Sequence, residues 1–327
     1  MIVVTGAAGF IGSNIVADLE ASGLGPIAVC DWFGTGDKWR NLAKRTISAF
    51  IEPEQLLGFL QTQGSAVTCV IHMGAISATT ERDVDALVRH NIDTTVMLWD
   101  WCAAQSVPFI YASSAATYGA LEAGLVDDEC VAAAAALRPL NAYGWSKKAT
   151  DQILLARAAT GRAPPQWVGL KFFNVYGPNE QHKGEMMSVI AKLFAQVKAG
   201  NAVNLFKSDR PGTAHGQQKR DFVYVKDCTR AIIWLMQHRQ VSGIFNLGTG
   251  VARSFADLVH GIGLALERPV QINYIDMPES LRGKYQYFTQ AEMSKLQGRG
   301  LGLAFHSLES GIADYVRSHL DTEDPYR

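Results

Sequence analysis

The chain has 327 residues, 48% of them hydrophobic and 19% charged, and its 30 basic and 31 acidic side chains leave a net charge of −1. That length exceeds the range of one compact core and predicts a large unit plus a smaller one, while the near-neutral balance argues against nucleic acid or an anionic membrane surface as the main partner. No apolar run reaches membrane-spanning length, the chain opens directly into a strand without a signal peptide, and the five cysteines show no paired metal spacing, so reduced thiols, no metal and a cytoplasmic setting are expected.

Met1-Ile2-Val3-Val4 is an apolar, β-branched run, as a buried parallel strand requires. Gly6, Gly9 and Gly12 follow, and Ser13 to Glu20 then shows helical spacing, with Gly23 where a helix stop is expected. In this strand–turn–helix setting Gly6 permits the tight turn, Gly9 leaves room for a pyrophosphate, and Gly12 lets helix and strand approach closely. The phosphates would meet the free amides at the helix start, in the turn that also holds Phe10 and Ile11. A second strand, Ile27 to Asp31, ends in an acid at the place where a carboxylate meets the adenosine ribose. Asp31 alone favours NAD, because it repels a 2′-phosphate; Lys38, Arg40, Lys44 and Arg45 follow closely and could neutralise one. The residues leave the choice of dinucleotide open.

Cys69 to His72 reads as a strand leading into Met73-Gly74-Ala75-Ile76-Ser77, a small-residue turn at a strand's C-terminal end, where doubly wound sheets bind ligand. A helix over Asp83 to Ala104 carries Asn91 in its interior. Phe109 to Ala112 is the next strand and delivers Ser113 and Ser114 to the same edge. Val131 to Ala136 forms a short helix, ended by Arg138-Pro139. Tyr143 and Lys147 stand four residues apart on one helical face. A free phenol, with a pKa of about 10, is a poor base. A nearby ammonium and an oxidised nicotinamide both favour the phenolate and draw that value down. Tyr143 could then take a proton from a substrate hydroxyl as hydride leaves, with Lys147 donating to the nicotinamide ribose and Ser114 orienting the substrate oxygen. Further strands are expected at Trp167 to Phe173, Asp221 to Val225 and Gly243 to Gly248, with a flexible polar excursion from Ser208 to Gln218. The alternation predicts an α/β fold: a doubly wound parallel Rossmann sheet from residues 1–173 and 221–248, with a smaller α/β substrate-binding lobe from 174–220 and 249–327.

Gly6-x-x-Gly9-x-x-Gly12, Ser114 and Tyr143-x-x-x-Lys147 resemble the extended short-chain dehydrogenase/reductase superfamily, whose members often act on nucleotide sugars. Tyr111 to Gly119, Phe173 to Pro178, His182-Lys183-Gly184, Lys219 to Val225 and Gly243 to Gly250 recur in the order found in its ADP-heptose 6-epimerase family, a likeness that runs from residue 1 to about 318. The resemblance implies oxidation of the sixth carbon of ADP-D-glycero-D-manno-heptose, rotation, and return of the hydride to the other face, supplying heptose for lipopolysaccharide core. It implies proton handling by Tyr143 in one orientation and by Lys183 in the other. It also implies cofactor contacts from Trp32, Lys38, Met73, Gly74, Ala75, Ile76, Ser77, Asn91 and Val175. Substrate contacts would come from Asn174, Glu185, Lys192, Phe206, Arg220 and Tyr285, with Arg220 on the diphosphate. NADP is the implied cofactor with NAD as the alternative, and the implied assembly is a homo-oligomer with a pentamer as its expected form.

The chain departs from that family in places. Pro53 stands at a second cofactor-contacting lysine, Glu185 at a serine, Lys192 at a histidine, and the 208–218 loop is longer. A nucleotide-sugar 4-epimerase would use the same Tyr143, Lys147 and Ser114 without needing Lys183. A 4,6-dehydratase would need an Asp-Glu pair where Ala115 and Ala116 stand. A non-catalytic dinucleotide sensor would have lost Tyr143 or Lys147, and both are present.

Overall fold

The computed structural model describes residues 1–279 and 286–327. In chain order the strands are β1 (Ile2–Thr5), β2 (Ile27–Cys30), β3 (Ala49–Ile51), β4 (Cys69–His72), β5 (Phe109–Ser114), β6 (Trp167–Phe172), β7 (Asn174–Tyr176), β8 (Val203–Phe206), β9 (Lys219–Tyr224), β10 (Gly243–Leu247), β11 (Ala252–Ser254) and β12 (Ile272–Ile275). Among them lie the helices α1 (Phe10–Ala21), α2 (Leu56–Gln63), α3 (Val84–Leu87), α4 (Thr94–Gln105), α5 (Val131–Ala136), α6 (Ala142–Ala159), α7 (Val189–Lys198), α8 (Val225–Gln237), α9 (Phe255–Leu266), α10 (Ser294–Gly298) and α11 (Leu308–Tyr315).

The main sheet runs β3-β2-β1-β4-β5-β6-β10, seven strands, all parallel. Its strands are apolar on both faces because helices cover both. On one face Ile15, Val16 and Leu19 of α1 pack with Ile232 and Leu235 of α8. On the other, Leu60 of α2, Leu98, Trp99 and Cys102 of α4, and Leu154 of α6 form a second layer. The chain works outward from β1 to β3, then returns to β4 and proceeds the other way. The loops diverge at that reversal and leave a crevice beyond the C-terminal strand ends.

A three-stranded sheet, β11-β9-β7, and a β8–β12 pair form the smaller layer, where Ile190, Val203, Leu258, Ile262 and Ile312 share a separate core. Here the expected division needs correcting. The strand placed at 221–225 is β9, and it pairs with β7 (Val175 opposite Val223) and β11 instead of joining the main sheet. The chain re-enters the main layer at α8, so 219–224 belongs with the smaller sheet. The first helix starts at Phe10, earlier than its apolar spacing suggested, because the extended Gly9 is its N-cap. The helix expected over 83–104 is α3, a π-helical stretch Val88–Asp93 and α4, with Asn91 in the wide turn.

The 208–218 excursion is tied down. Arg210 donates to both oxygens of Glu122 at 2.7 and 2.8 Å, and the Asp209 amide donates to the Tyr287 hydroxyl at 2.8 Å. Cys30, Cys69, Cys102 and Cys228 are free and buried, and Cys130 is free and exposed. Among the described residues no helix is long and apolar enough to cross a membrane.

Candidate active site

A cleft of about 880 Å³ opens at the C-terminal ends of β1, β4, β5 and β6 and extends to Met187, Ile190, Phe222 and Phe255 of the smaller layer. Gly6, Gly9, Phe10, Ile11 and Gly12 line one wall. Gly6 adopts φ +61°, and a Cβ there would stand 2.6 Å from the Gly74 amide nitrogen. A Cβ on Gly12 would lie 2.1 Å from the Gly6 carbonyl oxygen, so only glycine lets α1 approach the turn this closely. Among the described residues no side chain caps α1 and its first turn holds no acid, which leaves amides and the positive helix end for an anion. This cradle fits the pyrophosphate of a dinucleotide. Opposite it, Met73, Gly74, Ala75, Ile76 and Ser77 line the cleft. Asn91 stands behind that lining: its Oδ1 accepts the Ile76 amide at 2.8 Å and its Nδ2 donates to the Ile76 carbonyl at 2.9 Å and to Ser146 Oγ at 3.0 Å. With its amide spent on the backbone, Asn91 shapes the turn and does not reach into the cleft.

At the end of β2, Asp31 Oδ2 accepts the Ala8 amide at 2.8 Å and Oδ1 lies 2.5 Å from Lys38 Nζ. Trp32 and Lys38 line the cleft with Pro53 and Glu54, and Trp32 Nε1 donates to Glu54 at 3.0 and 3.2 Å. The sequence alone gave no reason to single out Glu54.

The three residues expected to be catalytic meet on α6 and β5. Asn141 caps α6 by accepting the Gly144 amide at 2.8 Å. A Cβ on Gly144 would sit 2.7 Å from the Ala116 carbonyl, so the bare glycine lets the helix start close against the residues after Ser114. Tyr143, Lys147 and Ser114 all line the cleft, with the Ser114 hydroxyl near enough to the Tyr143 phenol to favour its charged form. Lys147 is buried and its Nζ donates to the Ala112 carbonyl at 2.8 Å. Burial pushes the phenol up, the Ser114 hydroxyl opposes this, and the Asp151 carboxylate adds to it. The depression expected from the neighbouring lysine is therefore not present in the protein alone. Burial also brings Lys147 down to about 8, against the opposing pull of Asp151, and its Nζ is engaged by the Ala112 carbonyl.

Lys183 enters from the turn at Gln181–Met186, its Nζ 5.0 Å from the centre of the Phe10 ring, and it lines the same cleft. Burial lowers its pKa, and Glu180 partly offsets that. Glu180 is buried and holds the turn by accepting Ser188 Oγ at 2.6 Å and the Ser188 amide at 2.5 Å. Asn41, also missed from sequence, donates to the Ala8 carbonyl at 2.8 Å and the Asn179 carbonyl at 3.2 Å, and so joins the glycine turn to the Lys183 loop.

Asn174 and Val175 line the cleft as well. Four of the expected substrate residues do not. Glu185 and Lys192 pair with each other at 3.3 Å on the surface, Glu185 fully exposed. Phe206 ends β8, and the buried Arg220 lies 5.8 Å from the ring of Phe255, on the lobe side of the lining. Tyr285 falls outside the described residues.

Comparison with known proteins agrees with this geometry. The model of the NAD dependent epimerase/dehydratase family matches residues 2–248. The chain is 46% identical, over the full length of both, to ADP-L-glycero-D-manno-heptose-6-epimerase of Nitratidesulfovibrio vulgaris. It is 44% identical, again over both full lengths, to the enzyme of that name from Fusobacterium nucleatum. Its structure is similar to the crystal structure of Helicobacter pylori ADP-L-glycero-D-manno-heptose-6-epimerase, with TM-score 0.82 and 28% identity over 97% of this chain and 95% of that one. Thermus thermophilus UDP-glucose 4-epimerase in complex with NAD gives TM-score 0.73 and 26% identity, over 96% and 97%.

Proposed function

This chain belongs to the NAD dependent epimerase/dehydratase family, and we propose on that premise that it converts ADP-D-glycero-D-manno-heptose to ADP-L-glycero-D-manno-heptose, an isomerisation with no net redox change. The observation that carries this reading is Lys183 lining the same cleft as Tyr143, Ser114 and Lys147 but entering from a different segment. Inverting an exocyclic carbon by oxidation, rotation and re-reduction presents the carbonyl oxygen in two orientations. Each needs its own proton-handling group.

A nicotinamide dinucleotide held in this cleft would supply hydride acceptance and return. Tyr143, oriented by Ser114, would hold the proton at the substrate oxygen in one orientation, and the Lys147 ammonium would favour its phenolate. Lys183, with its pKa lowered by burial, would serve the rotated orientation. Asn174, exposed at the cleft edge, would donate to the sugar, with Val175 against the dinucleotide. The NADP that the resemblance implies would set its 2′-phosphate against Asp31, Trp32 and Lys38. A homo-oligomer in the cytoplasm goes with this reading: Phe50 and Leu264, 65% and 67% exposed, are apolar surface that assembly would cover, and sedimentation velocity should give a mass above the 35.6 kDa of one chain.

The direct test is NMR of the sixth carbon after incubating purified protein with ADP-D-glycero-D-manno-heptose. An equilibrium mixture of both epimers is expected. Untouched heptose alongside turnover of a UDP-hexose would assign the chain to the 4-epimerases, and a bound dinucleotide never reduced by any sugar would make it a sensor. Lys183→Met and Tyr143→Phe should each lower kcat by about 10²–10⁴-fold while dinucleotide binding persists. Full turnover by Lys183→Met would end the assignment of two proton-handling groups.

A further inference from the structure

A 2′-phosphate brings up to two negative charges to the end of β2, so the charged groups gathered there decide between NADP and NAD. The four cations that follow Asp31 in sequence are all engaged. Lys38 Nζ lies 2.5 Å from Asp31 and donates to the Trp32 carbonyl at 2.9 Å. Arg40 pairs with Asp37 at 3.3 Å, Lys44 with Asp324 at 2.8 Å, and Arg45 with Glu20 at 2.7 Å. Of these four, Lys38 alone lines the cleft, and its charge is balanced by Asp31.

The anions tell the other half. Glu54 lines the cleft and is held against the Trp32 indole at 3.0 and 3.2 Å, while the edge of His90 meets Trp32 at 4.8 Å between ring centres. Asp31 and Glu54 share one neighbourhood, since both carboxylates add to the upward shift that burial imposes on the Cys30 thiol. Residue 53 is a proline and offers no cation. Arg89 also lines the cleft and, like Glu54, is exposed, but among the described residues no ion pair holds its guanidinium in place, whereas Glu54 is anchored on the Trp32 indole. Two carboxylates held in place, against one lysine already paired with Asp31 and one unanchored arginine, accept hydrogen bonds from ribose hydroxyls and repel a phosphate.

We propose that Glu54, fixed by Trp32 near Asp31, makes this site select NAD over NADP. This rests on the dinucleotide reading of the cleft, and it runs opposite to the cofactor that the heptose-epimerase resemblance implies. A first test is mass spectrometry of the nucleotide released when the purified protein is denatured. A second is the pair of binding isotherms of nucleotide-stripped protein with NAD and NADP, followed by quenching of tryptophan fluorescence. NAD should be the nucleotide released, and it should bind at least about tenfold more tightly, the ratio that one repulsive contact supplies.

Glu54 is exposed, so Glu54→Lys and Glu54→Gln should both fold. Glu54→Lys should shift the ratio toward NADP by about tenfold or more, and Glu54→Gln by less. Wild-type protein that carries NADP, or binds it as tightly as NAD, overturns the proposal while leaving the epimerase reading intact. An unchanged ratio in Glu54→Lys overturns the role of Glu54. Failure to bind either nucleotide removes the dinucleotide reading and this proposal with it.

Discussion

Tyr143 and Lys147 illustrate how much a burial environment alters two side chains whose spacing was evident from sequence. The phenol is pushed up and the ammonium brought down to about 8, both chiefly by burial, since each loses solvent around its charged form. The two consequences for pH run in opposite directions. If catalysis needs the Lys147 ammonium, kcat falls on the alkaline side as pH rises through about 8, and a pH–rate profile without a limb there would contradict that requirement. Stability responds the other way. Between about 8 and the unfolded lysine value of about 10.4 the unfolded chain binds the extra proton, so this group's contribution to stability rises with pH across that window. Denaturation midpoints of wild type and Lys147→Met across pH 7 to 10 should converge and then cross as the penalty of the buried charge disappears.

At the scale of elements, the face of α6 that presents Tyr143 and Lys147 continues one turn further to Asp151. Asp151 accepts Tyr111 OH at 3.1 Å, Ser113 Oγ at 2.7 Å and Lys171 Nζ at 2.8 Å, and both charged partners are buried. This network fastens α6 to β5 and β6 and so fixes where Tyr143 meets Ser114. Removing one partner leaves a lone buried charge, so Asp151→Asn or Lys171→Met should destabilise by about 3–5 kcal/mol in urea titrations. The double variant should recover part of that loss; strictly additive losses would show that the pair does not act as a unit. Strand β1, the glycine turn, α1 and the Tyr143–Lys147 face could be read in advance because each is written within a dozen residues. Helices α7 and α9 and strands β8 and β12 were not anticipated. Their short apolar runs have no glycine turn or paired motif beside them, and their identity depends on the core they share.

Across the whole molecule, Asn41 ties the glycine turn to the loop that presents Lys183. It joins backbone at Ala8 to backbone at Asn179 and stands 3.1 Å from His182 Nδ1. Asn41→Ala should lower stability by about 1–3 kcal/mol, because buried carbonyls lose their donor. It should also slow turnover more than it weakens dinucleotide binding, because Lys183 loses its support while the cradle keeps its glycines. Equal losses in both would indicate that the turn itself had collapsed.

What the sequence determined by itself was local: strand, turn and helix at the N-terminus, a phenol and an amine one helical turn apart, and the order of small-residue turns along the sheet edge. The tertiary structure decided which distant groups face each other. It sent Arg40, Lys44 and Arg45 to acids of their own, set Glu54 on Trp32, moved 219–224 into the smaller sheet, and paired Glu185 with Lys192 away from the cleft. The physical reason is reach: periodicity and turn chemistry act over a few residues, whereas the partner of a charge is chosen by whichever surfaces the packed core brings within hydrogen-bonding distance.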